Sequence, residues 1–263
     1  MNGAVSWQQV GAALVLVAAA ALVSRWQSLD LEKEMGIASL RAFVQLVAIG
    51  YALEFIFATN NAFFVVSLIS LMVTVAGFTS GKRATGVPGA IGLALAAIGG
   101  GTLATLGSLV ALRIFPFSAH TLIPIAGMVI GNAMNVNSLV AARVRDELQG
   151  WRPQIEAALS LGAPWPVAVR PYLKRALKAG MIPIIDSTRT VGLIQLPGAM
   201  TGMILAGASP LAAVQLQMVV MYMLVGAAAI TGLAAAWLCS RAFFSDQHQL
   251  LLPERLQTAQ GKL

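Results

Sequence analysis

The side chains that could bind a metal ion are scattered along this sequence. Cys239 is the single cysteine, so neither a disulfide nor a cysteine-based metal site can form within the chain. His120 and His248 lie far apart in the sequence. Methionine thioethers favour soft ions such as Cu(I), although flexible packing is their other common role. The methionines that cluster are Met128, Met134, Met200, Met203, Met218, Met221 and Met223. No metal site can be identified from this pattern, and the metal ligands remain unknown.

A loop that could bind the phosphates of ATP is missing. The nearest candidate, Gly81-Lys82-Arg83, lacks the glycine five residues before Gly81 and the serine or threonine after Lys82. The sequence also shows no zinc signature, no nucleophile motif and no paired catalytic carboxylates. We therefore expect no catalytic residues, no cofactor bound by this chain and no ATP hydrolysis by it. Any pumping would depend on a partner.

Polar side chains interrupt two apolar segments. Arg41 and Gln45 lie one turn apart, and a charge in mid-membrane costs about 2.5–3.5 kcal/mol on insertion scales. Arg41 therefore needs a partner or a wet cavity, unless its long side chain reaches the membrane surface. Asn132 and Asn135 share one helical face, with Met128 one turn before. These amides either bond to neighbouring helices or line a translocation path, for which all five side chains are candidates.

A third polar group, Asp186, Ser187 and Arg189, lies where a further apolar segment is expected to begin. Asp186 or Ser187 could cap a helix there, and Asp186 could pair with Arg189 at the membrane surface. The alternative is a gate between cytoplasm and pore. Pro197 is expected to kink the helix that follows, because it lacks a backbone N–H, and Gly198 permits close helix contact.

The composition requires these residues to be positioned by membrane-spanning helices. Of 263 residues, 58% are hydrophobic and 10% are charged, which a single soluble core of this size could not bury and a lipid bilayer can solvate. The net charge of +7 does not indicate a nucleic-acid partner. The basic residues lie in loops between apolar segments, where the positive-inside rule places them.

Seven apolar segments approach the roughly 20 residues that a bilayer crossing needs. They run at about 8–23, 37–57, 62–79, 87–114, 122–140, 191–208 and 211–238. With the N-terminus outside, the basic loops fall on the cytoplasmic side and Arg113 falls outside. The sequence predicts an all-α polytopic membrane protein with about seven transmembrane helices, a cytoplasmic C-terminus and a single transmembrane domain over residues 1–263.

The longest polar segment, about residues 143–189, lies between the fifth and sixth predicted spans. Pro153 suits the first turn of a helix, residues 154–161 are good helix formers, and Gly162 stands where a left-handed cap would follow. The segment is basic, with Arg143, Arg145, Arg152, Arg170, Lys174, Arg175, Lys178 and Arg189. The pattern predicts a short helix presented to the cytoplasm. An interfacial helix lying on anionic lipid is the alternative.

The short helix resembles the EAA loop of ABC-transporter permeases, which forms the coupling helix that docks in a groove of the ATPase subunit. The coupling residues that this resemblance implies are Glu156, Ala157, Ala158, Gly162 and Ala163. The wider sequence resembles the FetB family of bacterial iron-export permeases and plant aluminium-tolerance permeases. The matching segments are residues 123–128, 131–134, 159–163, 182–183, 186–187, 190–193 and 196–198.

The resemblance implies a multi-pass permease subunit that exports iron or another metal across the bacterial inner membrane. It implies a permease homodimer and a separate cytoplasmic ABC ATPase, which would bind the ATP. An ABC permease for an organic solute, such as a nucleotide sugar, is one alternative. A stand-alone secondary transporter is another, although the sequence shows no internal repeat and few acidic residues in its spans.

Overall fold

Helices form the regular structure of this chain in the computed structural model, which describes residues 7–27, 32–59, 61–194 and 196–251. In the described residues they are α1 (Trp7–Trp26), α2 (Glu32–Thr59), α3 (Ala62–Arg83), α4 (Ala90–Ala111), α5 (Ala119–Gly150), α6 (Arg152–Ser160), α7 (Trp165–Thr190), α8 (Gly198–Leu205) and α9 (Pro210–Arg241). The predicted all-α polytopic fold is confirmed.

Five of these helices are long and apolar enough to cross a membrane: α2, α3, α4, α5 and α9. Within α1, the apolar stretch Gly11–Trp26 is shorter. The fourth predicted span forms one continuous helix of 22 residues. The total of seven spans and the outside position of the N-terminus remain predictions.

The chain divides into two compact units, Met1–Asn60 and Asn61–Leu263. In the first unit, α1 packs against α2. Most apolar side chains of α2, such as Leu40 and Leu46, are exposed, which suits a helix solvated by lipid. That residues 1–263 form a single domain remains a prediction.

The second unit is built around α5 and α9, which each have 32 residues and pack against each other. One core cluster joins them to α7 and includes Val140, Val144 and Val169, all fully buried. A second cluster joins them to α3 and α4 around Ile98 and Val129, which are also fully buried. The two long helices α5 and α9 therefore contribute to both core clusters and connect them.

Gly81 has a structural role in the contact between α3 and the start of α4. A carbon placed at its Cβ position would lie 2.6 Å from the Cα atom and 2.9 Å from the backbone nitrogen of Ile91. Any side chain at this position would therefore push two backbones apart. The close approach of α3 to Ile91 therefore explains why a glycine occupies position 81, where no phosphate loop exists.

The sixth predicted span, residues 191–208, is wrong as a single helix. The helix α7 begins in the polar segment and ends at Thr190, and α8 has only eight residues, about 12 Å in length. Pro197 does not kink a helix, because it is the extended residue immediately before α8, with ψ of 147°. The polar group Asp186, Ser187 and Arg189 lies in the last turn of α7, so it does not cap the start of a helix.

Candidate coupling and translocation site

The short helix predicted in the polar segment is α6, which has nine residues. A proline near its start and a glycine after its end mark its bounds, as predicted. Pro153 lies in its first turn, and Gly162 follows it with φ of +88°, a left-handed conformation that favours glycine. The Gly162 N–H donates to the carbonyl of Leu159, and the Ala163 N–H donates to that of Ala158. These bonds satisfy carbonyls at the end of the helix and turn the chain back towards α7.

The two faces of α6 differ. Ile155 is fully buried in the α5–α7–α9 cluster, and Ala158 and Leu159 pack against the same cluster. Ala157 is exposed, and Leu161, just beyond the helix, is 89% exposed. A large apolar side chain presented in this way on a polar segment is suited to a partner surface or to lipid.

Glu156 is held by a neighbour on its own helix. The Nε atom of Arg152 donates to its Oε1 atom at 2.6 Å, and both side chains are about half exposed. An exposed pair of this spacing contributes only about 0.3–0.5 kcal/mol to stability. The carboxylate is therefore only weakly oriented by Arg152 and stays accessible from outside the chain.

Arg175 joins the end of α5 to α7 and to the start of α6. Its Nη2 atom lies 2.8 Å from Oε2 of Glu147, and its guanidinium stacks 4.8 Å from the ring centre of Trp151 and 4.9 Å from that of Tyr172. An arginine with this combination of contacts links three elements at once. The sequence identified Arg175 as one of the basic residues of the polar segment, but it did not predict these contacts with Glu147 and Trp151.

The predicted path residues do not form one group. On α5, Asn132 donates from Nδ2 to the carbonyl of Leu224 on α9 at 2.9 Å, so it binds a neighbouring helix. Asn135 is exposed, and Met128 is partly buried against the second core cluster. Arg41 and Gln45 are exposed on α2, in the first unit.

A buried amide on α5 was underestimated from the sequence. Asn137 faces away from Asn132 and is only 2% exposed. Its Nδ2 atom donates to Oγ of Ser80 on α3 at 2.8 Å. Ser80 also lies 2.8 Å from the hydroxyl of Ser138. These three side chains form a polar contact between helices that are distant in sequence.

The group at the end of α7 is largely open. Arg189 Nη1 lies 3.7 Å from Oδ1 of Asp186, and both side chains are exposed. The predicted pair therefore exists, but at this distance and exposure it contributes little. The Ser187 carbonyl accepts from the N–H of Val191, the last bond before the helix stops.

A cavity of about 430 Å³ lies where α7 ends, bounded by α8, α9 and the intervening residues Val191, Gly192 and Leu196. Its described lining includes the polar or sulfur-containing side chains of Thr188, Met200, Gln217, Met218, Met221 and Tyr222. Gln217 is 6% exposed, and its Oε1 atom has no hydrogen-bond partner among the described residues. Sequence reasoning missed Gln217, although Gln215 and Gln217 stand out as two amides near the start of a long apolar helix.

The described residues contain no group of three or more His, Cys, Asp or Glu that could hold a metal ion. In the second unit, one helix connects the polar segment to the cavity. The same helix, α7, begins at Trp165, shortly after α6 ends at Ser160, and has Thr188 in the cavity lining. One continuous helix thus runs from the turn after α6 to the cavity.

Comparison with known proteins agrees with the resemblance. A family model described as "Uncharacterised protein family (UPF0014)" matches residues 7–244. The UPF0014 membrane protein STAR2 of Oryza sativa subsp. japonica is 46% identical over 239 residues, covering 91% of this chain and 84% of that protein. Protein ALUMINUM SENSITIVE 3 of Arabidopsis thaliana is also 46% identical over 239 residues, covering 91% and 88%.

A bacterial relative is similar over a comparable length. The probable iron export permease protein FetB of Escherichia coli (strain K12) is 33% identical over 247 residues, covering 94% of this chain and 95% of that protein. No solved structure matches this chain. The resemblance to FetB and to the plant proteins thus extends over nearly the whole chain, which belongs to the UPF0014 family of membrane proteins.

Proposed function

We propose that this chain is the permease subunit of an ABC transporter that exports iron, or another metal, across the bacterial inner membrane. The observation that carries the proposal is α6, a short helix with a left-handed glycine after it and Leu161 exposed beside it. The name of the FetB relative, a probable iron export permease, supports a permease role and iron as the cargo. ATP would be bound by a separate cytoplasmic ATPase, and this chain would supply no catalytic residue.

The fold supplies a mechanical link for such coupling. ATP binding would draw two ATPase subunits together and move each docked α6. The Arg175 contacts tie the start of α6 to α5 and α7, and α7 then runs 26 residues, about 39 Å, to the cavity. Rigid helices of this kind carry a displacement with little loss, because packed cores have low compressibility.

The function is tested by reconstituting the chain with candidate cytoplasmic ABC ATPase subunits from the same organism. We expect one of these subunits to copurify with the chain, and we expect ATP hydrolysis by the complex to rise when Fe²⁺ is added. A panel of other metals and of organic solutes, including nucleotide sugars, identifies the cargo. Stimulation by an organic solute alone would contradict a metal cargo and leave the ABC class intact. A chain that binds no ATPase would contradict the class.

We further propose that the permease forms a homodimer through residues 191–197. The described backbone here is not helical, and Leu193 is 89% exposed, with Ile194 and Leu196 exposed beside it. In a bilayer, irregular backbone is tolerated only where protein covers it or where it lines a wet cavity. A second copy of this chain would supply the cover.

Crosslinking tests this dimer. In a Cys239→Ala background, Leu193→Cys is expected to give a crosslinked dimer with a short bismaleimide in membranes, because two copies of the segment would face each other. Leu103→Cys is the matched control, since Leu103 is 75% exposed on α4, away from the segment. Equal yields from the two variants would contradict an interface at residues 191–197.

A further inference from the structure

A groove of about 320 Å³ lies between the first half of α7 and the end of α9. Its described lining is apolar except for Arg170 and Lys174, which lie one helical turn apart on α7. The groove is open on the α9 side, because Leu233 is 62% exposed and Trp237 is 55% exposed. It therefore combines two cations with an accessible apolar surface.

The two basic side chains of the groove have no counter-charge. Both are exposed, and no described residue forms an ion pair or a hydrogen bond with either side chain. Other arginines of the polar segment do have carboxylate partners: Arg145 with Asp146, Arg152 with Glu156 and Arg175 with Glu147. An anion that reaches the groove would therefore meet two positive charges that the protein itself does not neutralise.

The groove has a basic end and an apolar end. Helices α7 and α9 run antiparallel, because Trp165 stacks on Phe244 with ring centres 5.4 Å apart while Leu177 lies against Gly232. The two cations are therefore level with the last turns of α9, and Leu177 lies nearer the middle of that helix. Helix α9 is long and apolar enough to cross a membrane, and Trp237 lies one turn before its last residue. Tryptophan at this depth is typical of the membrane–water interface.

This order of chemical groups matches an anionic phospholipid. The phosphate of such a lipid lies at the membrane surface and its acyl chains extend into the hydrocarbon core, as the basic and apolar ends of the groove require. Basic pockets between membrane helices are a known way to bind such headgroups. An acidic protein surface or a free phosphate ion would satisfy the cations but would leave the apolar end, which lies along a membrane-spanning helix, unfilled.

We propose that this groove is a binding site for one anionic phospholipid. Arg170 and Lys174 bind its phosphate, and an acyl chain lies along Leu177, Leu233 and Trp237. The site does not depend on the proposed transport function, because it can be occupied and measured without ATP or a partner protein.

Phospholipids with brominated acyl chains test the site, because bromine quenches the fluorescence of a nearby tryptophan. The full chain in detergent is titrated with brominated phosphatidylglycerol, which is anionic, and with phosphatidylcholine that carries the same chains. We expect saturable quenching in both cases, with half-saturation at an at least tenfold lower concentration of phosphatidylglycerol. Trp237→Phe keeps the groove apolar and is expected to remove most of this quenching.

The combined Arg170→Gln and Lys174→Gln changes are expected to raise the half-saturation concentration of phosphatidylglycerol at least tenfold, since each cation near an anionic lipid contributes about fivefold in affinity. The combined Lys82→Gln and Arg143→Gln changes are the matched control. They also remove one lysine and one arginine that are exposed and unpaired among the described residues, but outside the groove, and should leave the lipid preference unaltered.

The exchange of Arg170→Lys with Lys174→Arg keeps both charges and should retain binding, which guards against a misfolded variant. Three results would overturn the site: equal half-saturation in the double glutamine variant and the native chain, undiminished quenching in Trp237→Phe, or displacement of the lipid by inorganic phosphate. Loss of ATPase copurification in the double glutamine variant, with phosphatidylglycerol binding intact, would assign the two cations to a protein partner instead.

Discussion

Replacement of Leu161 by aspartate is expected to abolish coupling of this permease to the ATPase subunit that we propose as its partner. Leu161 is 89% exposed, so the change removes little packing within the chain. In a docked complex the same side chain would enter an apolar groove, where an unpaired carboxylate is costly to desolvate. Truncating or charging a central contact of an interface commonly costs about 2 kcal/mol or more, which corresponds to roughly thirtyfold weaker association.

The measurement is copurification of the ATPase with the variant, together with ATP turnover in proteoliposomes. Leu251→Asp provides the control, because Leu251 is also an exposed leucine, at 52%, and lies beyond the end of α9. It should retain both assembly and turnover. Leu161→Asp that assembled and turned over like the native chain would rule out docking at this turn.

Two further changes on the same segment separate docking from folding. Glu156→Lys breaks an exposed ion pair with Arg152 worth only about 0.3–0.5 kcal/mol, so any large loss of ATPase binding must come from the partner. Gly162→Val strains a residue with φ of +88° and should distort the turn itself. Unchanged assembly and coupled turnover in both variants would contradict the coupling role of this segment.

Gly81→Ala is expected to destabilise the second unit by about 1–3 kcal/mol, the usual cost of overpacking a close contact. The added methyl group would lie 2.6 Å from Cα of Ile91, so the backbone at the start of α4 must move. Gly100→Ala is the matched control, because nothing lies within 4 Å of its Cβ position. Alanine there should stabilise α4 by up to about 1 kcal/mol through helix propensity.

Thermal unfolding in detergent distinguishes these outcomes. The melting temperature should fall for Gly81→Ala and stay level or rise for Gly100→Ala. A Gly81→Ala protein as stable as the native chain would mean that α3 and α4 do not approach as closely as the structure shows. It would also remove the steric explanation for a glycine in the sequence Gly81-Lys82-Arg83.

The local architecture of the coupling segment was predictable because its signals are short-range. The start of α6 near Pro153 and the left-handed turn at Gly162 are both confirmed. Proline and glycine fix backbone angles by their own chemistry, whatever packs around them. The resemblance to the EAA loop rested on the same residues.

The extent of α7 was not predictable in the same way. Hydropathy rises near Val191, and this rise suggested that a helix begins there, whereas the helix ends at Thr190. Pro171 and Pro183 both lie inside α7, at positions where a proline rule alone would place a break. Tertiary packing against α5 and α9 keeps this helix continuous, and neither hydropathy nor a proline rule reports such packing.

The candidate path was predictable only in part, because the partners of its polar residues depend on tertiary packing. Polar residues were visible in the sequence, but their partners lie far away along the chain, as in Asn132 with Leu224 and Asn137 with Ser80. Which polar atoms find a partner depends on helix pairing: Nδ2 of Asn137 has one, whereas Oδ1 of Asn137 and Oε1 of Gln217 have none among the described residues.

The central claim, that this chain is a permease driven by a separate ATPase, is tested most directly by Fe²⁺ flux in proteoliposomes. Vesicles containing the chain, the ATPase and ATP are expected to move Fe²⁺, and vesicles lacking the ATPase or ATP are expected to move none. The Leu161→Asp chain should behave like the vesicles without ATPase. Flux of equal rate through the chain alone would contradict the account and indicate a stand-alone transporter.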